Sequence, residues 1–246
     1  MSDASREAAG AAFATTHWSV VLAARDGTEP AIDAALTQLC RTYWPPLYAF
    51  LRRSGCSLHD AEDLVQGFFE RLVAERFLES VAREKGRFRA FLLAALRHHV
   101  ANVRRGERAQ RRGGGVMALA LDDPVVSERC EAALAITTDP ERVFDRVWAE
   151  TVLAAAAAEL RREQEADGRG ERFGVLRRWL AAEARPGEYA AAAPALGMTE
   201  GALAVAVYRM RQRFRELVRA EVAHTVAGPG EVDDELRHLL RILASG

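Results

Sequence analysis

The sequence is poor in the features that mark strands, disulfides, metal sites and membrane spans, and each shortage removes a class of protein. Alternating apolar and polar residues bounded by turn signals are almost absent from its 246 residues, so helices must supply the fold. The three cysteines, Cys40, Cys56 and Cys130, are odd in number and have no CxxC spacing. They read as reduced thiols of a cytoplasmic protein, not as a disulfide framework. The six histidines are scattered, and only His98 and His99 adjoin, so no metal constellation is expected. No run approaches the ~18 apolar residues of a membrane span. The opening "MSDASREAAGAAF" has no basic start followed by an apolar block, so it is not a secretory signal. No phosphate-cradling glycine loop and no carboxylate cluster beside a basic cleft is visible, so neither catalysis nor a cofactor is expected. Lysine is nearly missing as well: Lys85 is the only one, and the cationic chemistry rests on arginine.

What the chain does have is charge segregated along its length. The formal net charge is −1. Yet residues 83–112 carry ten basic side chains against two acidic ones, while residues 122–167 carry twelve acidic against five basic. A neutral chain polarised in this way attracts a polyanion at one place and repels it at another.

Helical periods place the segments. A short helix is expected at 16–27, and a second from about Pro30 to Arg53, which Pro45 and Pro46 should kink or split because each removes a backbone donor. Ser57 and Asp60 form a variant capping box ahead of a helix whose apolar face is Ala61, Leu64, Val65, Phe68 and Leu72. A fourth helix, apolar then basic, runs from Lys85 to Arg112 and stops at the glycines 113–115. Residues 116–140 show no convincing period and read as a linker. Strong helix propensity follows at 141–165, then a helix at about 171–184, a turn at Pro186-Gly187, two more helical segments, and a last helix at about 231–243. The expected organisation is all-α: an extension at 1–29, a helical domain at 30–112, a flexible acidic linker at 113–140, a second helical domain at 141–222 and a tail at 223–246.

The stretch "EYAAAAPALGMTEGALAVAVYRMRQRF" has the layout of a helix-turn-helix: a short helix to Gly197, a tight turn, and a second helix capped by Thr199. Leu203, Val207, Met210, Phe214 and Leu217 form one apolar stripe. If that stripe faces a core, Gly201, Val205, Tyr208, Arg209 and Gln212 face outward, into a DNA major groove in such a motif. Arg211 and Arg213 on the flanks are then phosphate contacts, and Arg209 is the candidate for a bidentate guanine contact. Pro194 inside the first helix weighs against the motif unless that helix is bent or short.

In the first domain, arginines and rings interleave: Arg87, Phe88, Arg89 and Phe91, followed by Arg97, His98, Asn102, Arg104, Arg105 and Arg108. Cations that track a backbone and rings that stack on bases are what a single nucleic-acid strand needs. The helix at 58–74 presents Glu62, Asp63, Gln66 and Glu70 away from its apolar face, a poor nucleic-acid surface and a candidate protein-docking one.

Taken together, "DAEDLVQGFFERL", "GRFRAFLLAALRHHVANVRR" and "ALGMTEGALAVAVYRMRQRFRELV" resemble a bacterial RNA polymerase sigma factor of the extracytoplasmic-function type, over about 30–112 and 145–222. The resemblance implies two helical domains on a flexible linker, core RNA polymerase and promoter DNA as partners, and no catalytic residues. It allows an anti-sigma or other regulatory protein as a further partner. It carries Asp60, Glu62, Asp63, Gln66 and Glu70 over to the helix that docks on polymerase, residues 87–105 to the segment that recognises and opens the −10 element, and residues 199–213 to the helix that reads the −35 element. The chain departs from the family's common pattern at Phe91, His98, Asn102 and Ala204, positions that bear on promoter sequence and not on fold. The alternative is a stand-alone helix-turn-helix regulator that does not touch polymerase.

Overall fold

The computed structural model describes residues 29–74, 87–107, 124–226 and 228–245. Every regular element among these residues is a helix. In chain order the α-helices are α1 (Glu29–Arg53), α2 (Leu58–Ala74), α3 (Phe88–Glu107), α4 (Pro124–Ile136), α5 (Pro140–Ala166), α6 (Gly170–Leu176), α7 (Glu188–Ala192), α8 (Glu200–His224) and α9 (Val232–Ala244). The helix expected at 16–27, Lys85, the glycines 113–115 and the cations Arg108, Arg111 and Arg112 lie outside the described residues. No described helix is long and apolar enough to cross a membrane. The chain divides into two compact units, one running to Thr151 and resuming at Val222, the other Val152–Glu221.

In the first unit α1 packs against α2, α3 and α4. Leu39, Tyr43, Leu47, Tyr48, Phe50 and Leu51 are all buried, so this stretch of α1 is covered on every side, as befits a central helix. That burial answers Pro45 and Pro46. The helix is not split there: α1 runs from Glu29 to Arg53 with both prolines inside it. A proline in a helix interior costs about 3 kcal/mol, whereas each large apolar side chain buried gives about 1.5–3 kcal/mol, and the buried side chains outnumber the prolines.

The cap of α2 forms by halves. Ser57 Oγ accepts the Asp60 N–H at 3.1 Å, and its hydroxyl donates to the Asp60 carboxylate at 2.7 Å. Aspartate is one methylene shorter than the glutamate of a full capping box, and here its carboxylate takes the hydroxyl instead. Ala61, Val65, Phe68 and Leu72 are buried as the spacing predicts, with Leu64 half-buried.

Within the stretch expected to be a linker, Pro124–Ile136 forms α4, packed on α1. Among its described side chains Cys130 and Ala133 are buried, and the Cys130 thiol approaches the Pro45 carbonyl at 3.7 Å. Contacts through such small side chains leave a faint apolar period, which is why the pattern did not show a helix.

In the second unit the helix expected over 171–184 is shorter. α6 ends at Leu176 and tightens into a single 3₁₀ turn, Arg177–Trp179. The chain then folds back: the Trp179 indole N–H donates to the Glu188 carboxylate at 3.0 Å, and the Arg185 N–H donates to the same oxygen at 3.1 Å. Those two bonds, the indole first, hold the Glu188 carboxyl below its usual range. Phe173, Leu176 and Trp179 are buried in this unit with Leu203, Val207 and Met210 of α8.

Candidate nucleic-acid interface

The stretch from α7 to α8 has the order helix, tight turn, helix. Pro194 costs little there. α7 ends at Ala192, and Pro194 opens a separate 3₁₀ turn, Pro194–Leu196, at the position where a helix needs no donor. Gly197 closes the turn at φ +61°, a left-handed conformation that favours glycine. The Met198 N–H donates to the Ala193 carbonyl at 3.0 Å. Thr199 Oγ1 accepts the Ala202 N–H at 3.2 Å, an N-cap bond that starts α8.

The stripe of α8 faces inward: Leu203, Val207, Met210 and Leu217 are buried and Phe214 half-buried. Gly201, Val205, Tyr208 and Arg209 are exposed on the other side, and the Gln212 amide donates to the Tyr208 hydroxyl at 2.9 Å. An exposed Tyr208 and Val205 beside a guanidinium give this face apolar, hydrogen-bonding and cationic contacts together.

The flanking arginines, read from the sequence as phosphate contacts, are not equivalent, and both have partners within the unit. Arg211 donates to the Trp179 and Ala182 carbonyls at 2.7 and 2.5 Å. It ties α8 to the loop after α6, because those carbonyls lie past the end of a helix and lack intrahelical donors. Arg213 forms a two-pronged pair with Glu163 of α5, at 3.0 and 2.6 Å, and a third bond to Glu216 at 2.7 Å. The Arg213 hydrogen bond is the first cause holding the Glu163 carboxyl below its usual range. Arg209 makes no ion pair among the described residues and lines a cleft of about 380 Å³ together with Arg172, Val205 and Met210.

The interleaved segment of the first unit splits in two. Its second half is on the surface: His98, Arg104 and Arg105 are exposed and Asn102 half-buried, with Arg105 donating to Asn102 Oδ1 at 2.9 Å and the Asn102 amide 3.2 Å from His98 Nδ1. Arg97 is half-exposed, lies over the Phe50 ring at 5.3 Å and pairs with Glu141. The first half is inside. Phe88 is fully buried, its ring edge-on to Tyr43 at 5.3 Å, and Phe91 is half-buried beside it. Arg89 is only 8 % exposed. Its Nε donates to Glu235 at 2.6 Å, a terminal nitrogen donates to Asp145 at 2.7 Å, and its guanidinium lies 5.3 Å from the Trp148 ring centre. Arg87 pairs with the other Glu235 oxygen at 2.9 Å. Phe88 and Arg89 are therefore not open to a nucleic-acid strand in this structure, contrary to the sequence reading.

Glu235, Asp145 and Glu141 are the residues that sequence reasoning missed. They are the acidic complement of the cationic segment, supplied from 44 to 148 positions further along the chain. The charge segregation was visible, but part of it is answered within the fold.

The docking-face residues stand as a set on α2. Asp60, Asp63 and Glu70 are exposed, Glu62 and Gln66 half-buried, and the Gln66 amide donates to Glu70 at 3.0 Å. A cleft of about 390 Å³ beside them is lined by Asp60 and Asp63 on one side and by His99 and Arg104 of α3 on the other. An acidic surface and a cationic one thus border one depression of the first unit. The described residues contain no cluster of side chains suited to a metal ion.

Residues 39–110 match the family model Sigma-70 region 2. No curated protein and no solved structure matches the chain. The match covers a little under a third of the sequence and contains both the acidic face of α2 and the cationic half of α3. It supports a sigma factor, a non-enzymatic transcription initiation factor whose region 2 binds core RNA polymerase and melts promoter DNA.

Proposed function

We propose that the chain is a sigma factor of the extracytoplasmic-function type, which docks on core RNA polymerase through α2, opens the −10 element with α3 and reads the −35 element with α8. The observation that carries this reading is the region 2 match, which falls within one compact unit holding two surfaces of opposite charge. Asp60, Glu62, Asp63, Gln66 and Glu70 supply the docking surface. An acidic face repels DNA phosphates and steers toward a basic protein surface. Arg97, His98, Asn102, Arg104 and Arg105 supply the cationic track that follows a separated strand. Unstacking a base costs a few kcal/mol, offset by contacts to the extruded base.

In the second unit, Gly201, Val205, Tyr208, Arg209 and Gln212 form the outward face of α8. Arg209 has the freedom to reach a guanine edge, a contact worth ~1–3 kcal/mol of discrimination. Thr199 sets the start of the helix, and Arg211 and Arg213 hold its orientation from within the unit.

A titration of fluorescently labelled protein with bacterial core polymerase tests the docking surface. The native chain is expected to bind, and Asp63→Arg with Gln66→Ala is expected to weaken binding at least tenfold, about 1.4 kcal/mol, with the helix content unchanged. Equal affinity of the two proteins would remove α2 from the interface.

A further inference from the structure

Among the described residues Glu235 is the one carboxylate at 0 % exposure, and it sits on α9. It binds both arginines that open α3: Arg89 at 2.6 Å and Arg87 at 2.9 Å. Val232 and Leu239 are buried on the same face of α9, and His238 places its ring 6.4 Å from Trp148 and its Nε2 3.3 Å from Asp145. The negative charge of Glu235 also reaches Tyr43, whose phenol is pushed up by burial first and by that charge second. The face of α9 is thus a complement, in charge and shape, to one patch: two guanidiniums, a tryptophan and a carboxylate.

A phosphodiester offers an arginine the same partner that Glu235 does, an anionic oxygen pair. The patch beneath α9 has the make-up of a single-strand binding surface, with cations next to an aromatic ring. Its cations are already taken. We infer that α9 is an autoinhibitory latch: Glu235 occupies Arg87 and Arg89 as a phosphate mimic, and the start of α3 becomes available to a separated DNA strand only when α9 leaves. This rests on the proposed role of α3 in strand binding. Asp145 stays with Arg89 after release, so the patch keeps its fold while gaining one net positive charge.

The test uses the full chain and a fluorescein-labelled oligothymidylate, read by anisotropy across a range of salt. Each guanidinium that gains a phosphate on a single strand steepens the slope of log affinity against log salt by about 0.7. Glu235→Gln is therefore expected to bind more tightly than the native chain, with a slope steeper by about 0.7. Arg87→Gln placed on Glu235→Gln is expected to cancel part of that gain. A folded Glu235→Gln protein with native affinity and slope overturns the latch, as does a gain that Arg87→Gln leaves intact. Should Glu235→Gln fail to fold, amide exchange on the native chain decides. At saturating oligonucleotide, α9 amides that exchange faster support release, and unchanged protection overturns it. If neither protein binds the strand at low salt, the strand-binding role of α3 fails and the latch with it. Equal binding by both removes the latch alone.

Discussion

Arg209 and Arg211 stand two residues apart on α8, and replacing each with alanine is expected to have opposite consequences. Arg211 donates to two main-chain carbonyls, Trp179 at 2.7 Å and Ala182 at 2.5 Å. Hydrogen bonds from a charged donor contribute about 1.5–3 kcal/mol each. Arg211 is half-buried and the Ala182 contact is exposed, so water replaces part of that second bond. The net cost of Arg211→Ala is then about 3 kcal/mol, the upper end of one such bond or two at a discount. With a urea dependence of about 2 kcal/mol per molar, the unfolding midpoint falls by about 1.5 M. Arg209 is exposed and makes no ion pair among the described residues. Its replacement is expected to change stability by no more than about 0.5 kcal/mol and to weaken duplex binding by about 1–3 kcal/mol. Urea titrations followed by circular dichroism, beside anisotropy with a labelled duplex, separate the two effects. A native midpoint for Arg211→Ala would refute the structural role given to that side chain. A large drop for Arg209→Ala would refute its placement on an open face.

Three further outcomes follow from the same geometry. Burial pushes the thiols of Cys40 and Cys130 up to about 11 and about 12, and the thiolate is the nucleophile; alkylation of the native protein is expected to mark half-buried Cys56 first, with the other two reacting only on unfolding, as mass spectrometry of the digested protein would show. The Glu163 carboxyl is held below its usual range by Arg213, so its stabilising contribution is present above the usual carboxylate range of about 4 and lost as pH falls through the lowered value; the gap in urea midpoint between the native chain and Glu163→Gln should be open at neutral pH and close in acid. Gly197 lies at φ +61°, so Gly197→Ala is expected to cost about 1–2 kcal/mol, whereas Gly201→Ala in the first turn of α8, with open space where its Cβ would go, should hold or raise the midpoint in the same titration.

Local features were legible in the sequence because their physics is local. The stripe from Leu203 to Leu217 is set by helical period, the Ser57 and Thr199 caps by residues three apart, and the turn at Gly197 by the one residue type that tolerates it. That α1 runs unsplit through Pro45 and Pro46 was not legible, because the burial that outweighs them depends on neighbours from other helices. α4 was missed because the buried side chains described on it, Cys130 and Ala133, are small.

The arginines show the sharper limit. Arg87, Arg89, Arg211 and Arg213 looked alike as surplus cations, and each has a partner between 32 and 148 positions away or a main-chain carbonyl as distant. Nothing local distinguishes these side chains from Arg209. What the sequence did show was the pairing of an acidic helix with a cationic one inside residues 39–110, the stretch that matches Sigma-70 region 2.

Transcription with purified core polymerase tests the central claim most directly. The protein is added to core enzyme and fragmented bacterial DNA, and the 5′ ends of the transcripts are sequenced. The account predicts discrete start sites, absent without the protein, that share two motifs at fixed spacing upstream. No new starts, with core enzyme from the protein's own host that responds to a control sigma factor, would contradict it.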